Sequence, residues 1–134
     1  MRSIDTIVIH CLATPECRDV HIDEVRRWHV EERGWSDVGY QWLIALDGSI
    51  EKGRPESKSG AHAKGYNSRS IGVAYVGGVD VNMKAKDTRT EAQKASLLCL
   101  IEDLKGRYPN AVVIGHRDIS DKECPSFDAK TEYG

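Results

Sequence analysis

The sequence predicts an α/β (α+β) fold in which a central mixed β-sheet is flanked by helices, with polar groups gathered at the strand ends. Three observations carry this reading. Short β-branched or apolar runs, Thr6–His10, Ser70–Val76 and Ala111–Ile114, are too brief for helices and read as buried strands. Between them, His21–Arg33 and the stretch after Thr90 repeat their apolar residues at helical spacing. An Asp47-Gly48 pair between two further strand-like stretches marks a hairpin. With 134 residues, the chain suits one domain, residues 1–134, large enough for a real core and too small for two.

Taken in order, Thr6–His10 is the first strand and Cys11–Asp19 a polar loop holding Pro15. In His21–Arg33, Ile22, Val25 and Trp28 form the apolar stripe, and Asp23 and Glu24 sit where the helix dipole favours acid. Gly34 ends that helix. Trp28 is read as core and His29 as a helix-packing or capping residue. Gly34–Gly39 turns the chain into a strand over Tyr40–Leu46, and Ser49–Lys52 is its hairpin return. Glu56–Arg69 is a long loop whose Ala61-His62-Ala63-Lys64-Gly65-Tyr66-Asn67 core is too rich in specific polar and aromatic groups to be filler. Thr90-Glu91-Ala92-Gln93 is a capping box that opens a helix reaching about Tyr108, with Leu97, Leu98, Ile101 and Leu104 as the expected apolar face. Pro109-Asn110 ends it, and Ala111–Ile114 delivers His116 to the sheet edge.

Composition excludes several classes. The residues are 40% hydrophobic and 30% charged with a formal net charge of -2, as in an ordinary globular protein. No basic footprint points to nucleic acid, and no apolar run is long enough for membrane insertion. Met1–Asp5 runs into a strand without a signal-peptide core, so the chain is expected to be made in the cytoplasm and to work elsewhere only after release or assisted export. Cys11, Cys17, Cys99 and Cys124 do not form a disulfide framework and are expected to be free thiols, with Cys99 a small buried group of the second helix.

The chemistry concentrates in Gly115–Pro125. A histidine at the end of an apolar run, then a short loop, then Lys122 two residues before Cys124, gathers groups suited to binding metal or to nucleophilic chemistry. Spacing alone leaves both open. A third metal ligand would have to come from elsewhere, and His10 ends the other clean strand. Two histidine-tipped strands lying side by side would complete the set.

Further residues carry a resemblance over nearly the whole chain. His10-Cys11, Gly34-Trp35-Ser36-Asp37-Val38-Gly39-Tyr40, Asp47-Gly48, Gly53-Arg54, His62–Asn67, Ser70-Ile71-Gly72-Val73, and His116 through Cys124-Pro125-Ser126-Phe127-Asp128 resemble, in order, the phage-lysozyme type of N-acetylmuramoyl-L-alanine amidase. That family also includes the peptidoglycan-recognition proteins. The resemblance implies one zinc ion per chain, held by His10, His116 and Cys124, with Tyr40 and Lys122 as the catalytic pair. It implies bacterial peptidoglycan as partner, a monomer, an endolysin-like or antimicrobial hydrolase, and cleavage between the lactyl group of N-acetylmuramic acid and L-alanine. His62 and Asn67 are expected to contact the substrate.

Three protein ligands leave a fourth zinc position for water, which suits catalysis rather than structure. Lys122 is placed to stabilise an oxyanion, and Tyr40 to hydrogen-bond the water or relay its proton. Two departures from the family stand out. Leu12 stands where relatives often carry a small hydroxyl residue, and the chain is expected to stop soon after Phe127-Asp128, where relatives commonly continue into a C-terminal helix. The rival readings are a non-catalytic peptidoglycan-recognition protein, a polymerase-inhibiting partner protein, and a Cys-His thiol enzyme. A zinc nucleobase deaminase is excluded because its His-x-Glu and Pro-Cys-x-x-Cys signature is absent.

Overall fold

The computed structural model describes residues 2–134. Its centre is β1 (Thr6–Cys11), buried along its whole length between two parallel neighbours, β5 (Ser70–Tyr75) and β7 (Val112–Gly115). A strand covered on both faces has no solvent side. That is why Ile7, Val8 and Ile9 follow one another without a polar residue, all fully buried. Each such side chain contributes about 1.5–3 kcal/mol by leaving water.

β3 (Trp42–Ile44) adds parallel to β5, and β4 (Ile50–Lys52) pairs antiparallel with β3, giving the order β4-β3-β5-β1-β7. The expected mixed sheet is present. The hairpin turns through Gly48 at φ 89°, with the Ser49 N–H donating to the Asp47 carboxylate at 2.9 Å. A second, two-stranded element, β2 (Thr14–Pro15) with β6 (Gly78–Val79), was not expected.

Alternation along the strands sorts side chains into two layers. Ile7, Ile9, Ile71, Val73 and Tyr75 meet α2 (Glu91–Arg107) and the C-terminal α3 (Ala129–Tyr133) in one core. On the other face Val20, Val25, Val38, Leu43, Ala74 and Val76 pack with α1 (Ile22–Arg27). The Thr90–Gln93 capping box opens α2 as expected, and the Gln93 amide also donates to the Ile44 and Val76 carbonyls, tying the helix to the sheet.

Three expectations are corrected here. The buried stripe of α2 is Leu97, Leu100, Ile101 and Leu104, whereas Leu98 is 49% exposed. At about 100° per residue, 97, 101, 104 and 100 cluster on one side and 98 falls outside them. Cys99 is exposed for the same reason. The first helix is not regular to Arg33. After Arg27 it widens into a π turn over Trp28–Glu32, and Gly34 at φ 71° then reverses the chain. No helix among the described residues is long and apolar enough to cross a membrane.

Candidate metal centre and cleft

The parallel pairing of β1 with β7 places Ile9 opposite Gly115, so the next residues, His10 and His116, leave adjacent strand ends together. Their rings lie 4.5 Å apart, centroid to centroid. Cys124 is brought back by a short loop whose ends are bound to each other, the Arg117 N–H donating to the Cys124 carbonyl at 2.6 Å. The loop is also fixed from outside. The Tyr75 hydroxyl donates to the Pro125 carbonyl at 2.6 Å, and the Ser126 hydroxyl to the Gly78 carbonyl at 2.7 Å. Gly115 is required here, because a Cβ on it would lie 2.9 Å from the Pro125 ring.

Ligand atoms of His10, His116 and Cys124 all fall within 4.8 Å of one another. His10 Nδ1 is 3.7 Å from Cys124 Sγ. Zinc bonds of about 2.0–2.1 Å to nitrogen and 2.3 Å to sulfur in a tetrahedron require a nitrogen–sulfur edge of about 3.6 Å, which the His10–Cys124 pair matches, and two imidazoles with one sulfur are donors that suit that ion. The electrostatics fit as well. Burial, reinforced by His62, His116 and Lys122, holds His10 far below the ordinary imidazole range, and burial with Lys122 lowers His116. Both are therefore neutral near pH 7 and keep a lone pair to donate. The Cys124 thiol is held above its usual range by its hydrogen bond with Cys11 and by burial, an effect that an adjacent cation reverses. The Cys11 backbone N–H, donating to Cys124 Sγ at 3.1 Å, already favours the thiolate. All four cysteines are free, and the neighbour of Cys11 is Cys124 rather than Cys17.

Tyr40 stands beside this group, its ring 5.1 Å from that of His10. Burial raises its phenol well above the ordinary range, so it remains a hydrogen-bond donor at neutral pH. Lys122 is exposed on the loop before Cys124, near enough that its charge lowers both histidines. A cleft of about 230 Å³ adjoins the group through Tyr40 and Leu12 and is continued by Trp28, His29, Glu32 and Arg33 of the π turn and its exit.

Two residues expected to meet substrate have other partners. His62 is only 9% exposed and uses both ring nitrogens internally, Nδ1 with His10 Nε2 at 2.9 Å and Nε2 with Ser70 Oγ at 3.2 Å. Burial lowers its pKa to about 3. The His62 ring therefore lies against His10 on one side and Ser70 on the other. The Asn67 side-chain oxygen accepts from the His62 and Ala63 N–H groups at 2.9 Å each, which fixes the loop.

His29, read from sequence as packing or capping, does more than either. Its Nδ1 accepts from the Gly39 N–H at 2.9 Å, immediately before Tyr40, while its ring borders the cleft. The only sequence signal was its place one turn ahead of Gly34-Trp35. Gly39 itself tolerates no side chain, since a Cβ would meet the Ala61 carbonyl oxygen.

Comparison with known proteins follows the same lines. The family described as N-acetylmuramoyl-L-alanine amidase matches residues 1–127. The endolysin of Escherichia phage T7 is 47% identical over 128 residues, covering 96% of this chain and 84% of that one. Peptidoglycan-recognition protein SC2 of Drosophila melanogaster is 32% identical over 133 residues, covering 93% and 70%. Among solved structures, the N-acetylmuramoyl-L-alanine amidase LysC from Clostridium intestinale superposes with a TM-score of 0.83 at 30% identity, covering 98% of this chain and 82% of that one. Sequence, fold and the clustering of His10, His116 and Cys124 agree, and this chain belongs to the N-acetylmuramoyl-L-alanine amidase family.

Proposed function

We propose that the chain holds one zinc ion on His10, His116 and Cys124 and hydrolyses the amide joining the lactyl group of N-acetylmuramic acid to L-alanine in bacterial peptidoglycan. The observation that carries this is a group of three donors, two neutral imidazoles and one sulfur, beside an open cleft. A zinc ion with three protein ligands supplies a water of pKa about 7 and a Lewis acid for the amide carbonyl. Everything else falls to the chain. Tyr40, kept as a neutral phenol, donates a hydrogen bond at the reacting carbonyl and orients it. Lys122 brings a positive charge to the oxygen on which negative charge grows. Trp28 and Arg33 offer an apolar wall and a cation to the substrate, and Asn67 keeps its carboxamide nitrogen for it.

Residues 1–134 act as one catalytic domain and as a monomer, meeting the wall after release or assisted export. The test is incubation of the purified protein with defined peptidoglycan, with and without a chelator, and identification of the products by mass. Free stem peptide, lost on chelation and restored by zinc, supports the proposal. Shortened glycan would make the protein a glycosidase, and intact but bound substrate a recognition module. Cleavage that survives chelation but stops on thiol alkylation and in Cys124→Ser would assign the chemistry to Cys124 as nucleophile.

A further inference from the structure

A metal-binding imidazole must present a lone pair to the ion, so the proton of the neutral ring has to sit on its other nitrogen. His10 turns Nδ1 toward Cys124 Sγ, which leaves Nε2 to carry hydrogen. Nε2 meets His62 Nδ1 at 2.9 Å in a region closed to solvent. The bond therefore has one workable direction, with His10 donating and His62 accepting. His62 must then hold its own proton on Nε2, where Ser70 Oγ lies 3.2 Å away as acceptor. With the opposite polarity, His62 would donate from Nδ1, His10 would carry its proton on Nδ1, and no ligand lone pair would remain.

The fold is shaped to hold His62 in this place. Its ring lies in a slot between two glycines on different elements, Gly60 in the long loop and Gly72 in β5. A Cβ at Gly72 would stand 2.6 Å from His62 Cγ, and one at Gly60 would stand 2.6 Å from His62 Cδ2. The backbone on either side of His62 is fixed too, by Asn67 Oδ1 accepting from residues 62 and 63. A histidine serving only as filler needs neither an aimed nitrogen on each side nor two missing side chains around it.

We infer that His62 is a positioning residue which, relayed through Ser70, fixes the protonated nitrogen and the ring orientation of His10 and so prepares the metal centre. The inference rests on the zinc reading above. Partners of this kind, placed behind a ligand, typically change metal affinity about 10–100-fold.

The test compares two substitutions of equal shape, His62→Asn and His62→Leu. Both leave the same space in the slot, but asparagine retains an acceptor close to the original Nδ1 and leucine retains none. Zinc affinity is read by competition with a chromophoric chelator, the geometry of the centre by the visible absorption of the cobalt(II)-loaded protein, and the fold by thermal melting of the metal-free protein. The leucine variant is expected to bind zinc about 10–100-fold more weakly with an altered cobalt spectrum. The asparagine variant is expected to recover most of the affinity and the original spectrum, although the two metal-free proteins melt alike. Equal affinity and identical spectra in the two variants would overturn the inference, as would equal weakening that tracks melting temperature. Wild-type protein that takes up no zinc would sink the metal reading itself and is told apart from both.

Discussion

His10 Nδ1 and Cys124 Sγ are separated by 114 positions in the chain and by 3.7 Å in the fold. That distance matches one edge of a zinc tetrahedron, but sulfur would coordinate as thiolate, and without metal the Cys124 thiol is held protonated by Cys11 and by burial. Binding must therefore release a proton. Apparent zinc affinity is expected to rise with pH between about 6 and 8 and to be largely lost in Cys124→Ser. Equilibrium dialysis against a zinc buffer at several pH values checks this, and affinity independent of pH would mean that the sulfur is not a ligand.

Tyr40 and Lys122 border the centre without belonging to the donor group. Replacing either should lower turnover and leave the metal in place. Tyr40→Phe and Lys122→Ala are expected to lose about 10²–10³-fold in kcat with a full zinc content, the scale of losing one hydrogen bond or charge at a developing oxyanion. Turnover assays paired with metal analysis on the same samples decide it. Retained activity in both variants would remove their catalytic roles.

The bond from the Gly39 N–H to His29 Nδ1 predicts an effect on turnover from a residue that does not touch the donor group. His29→Ala frees the turn that ends at Tyr40 and is expected to reduce kcat about 10-fold or more with zinc affinity unchanged. The same bond gives a pH effect. Burial, with Arg33 and Arg54, lowers the His29 pKa to about 4, below the unfolded value of about 6.5. Its contribution to stability is complete above pH 6.5 and is lost as the pH falls toward 4. Acid unfolding of the wild type should therefore be steeper over that interval than that of His29→Gln.

Strand ends, hairpin and capping box were legible in the sequence because each is a local pattern. Thr6–Ile9, Asp47-Gly48 and Thr90–Gln93 carry their geometry in a few adjacent residues. The gathering of His10 and His116 was legible once two strands ending in histidine were set side by side, which β1 and β7 do. The contact of His62 with His10 was not, because it depends on a slot left by Gly60 and Gly72 and on a partner 52 positions away. Nor was the β2–β6 pair, which is made of backbone bonds and of Thr14 Oγ1 accepting from the Gly77 N–H, none of which leaves a periodic trace. Leu98 and Cys99 were misplaced for a simpler reason: an apolar run of Leu97-Leu98-Cys99-Leu100-Ile101 does not declare which of its members face inward.

Arg89 links the segment before α2 to the C-terminal helix. Its side chain, 3% exposed, bonds the Asp87 and Glu132 carboxylates and the Tyr133 hydroxyl and lies 3.5 Å over the Phe127 ring. Asp87 and Glu132 keep contact with water, so removal of the cation costs less than the 3–5 kcal/mol typical of a wholly buried pair. Arg89→Met is expected to destabilise the protein by about 2–4 kcal/mol, read as a lower denaturant midpoint at unchanged slope. A change under about 0.5 kcal/mol would show that the network is surface ornament to a core that holds α3 unaided.

His21 titrates with the opposite sign to His29. Its Nδ1 meets Glu51 at 2.6 Å and its Nε2 meets Asp19 at 3.0 Å, and these hydrogen bonds, Glu51 first, raise its pKa above the ordinary value. Glu51 also accepts from the Ile22 N–H at 2.7 Å, so the contact ties β4 to the start of α1. A raised folded-state pKa stabilises the protein fully below the unfolded value of about 6.5, and the effect fades as the pH rises through the folded-state value. Wild type should therefore melt above His21→Gln at pH 5.5, and the gap should narrow steadily toward pH 8.5. Because His21 and Asp19 are solvent-exposed and Glu51 is only partly buried, raising the salt concentration should shrink the low-pH gap as well. A gap that stays constant across the pH series would assign His21 a packing role in place of an ionic one.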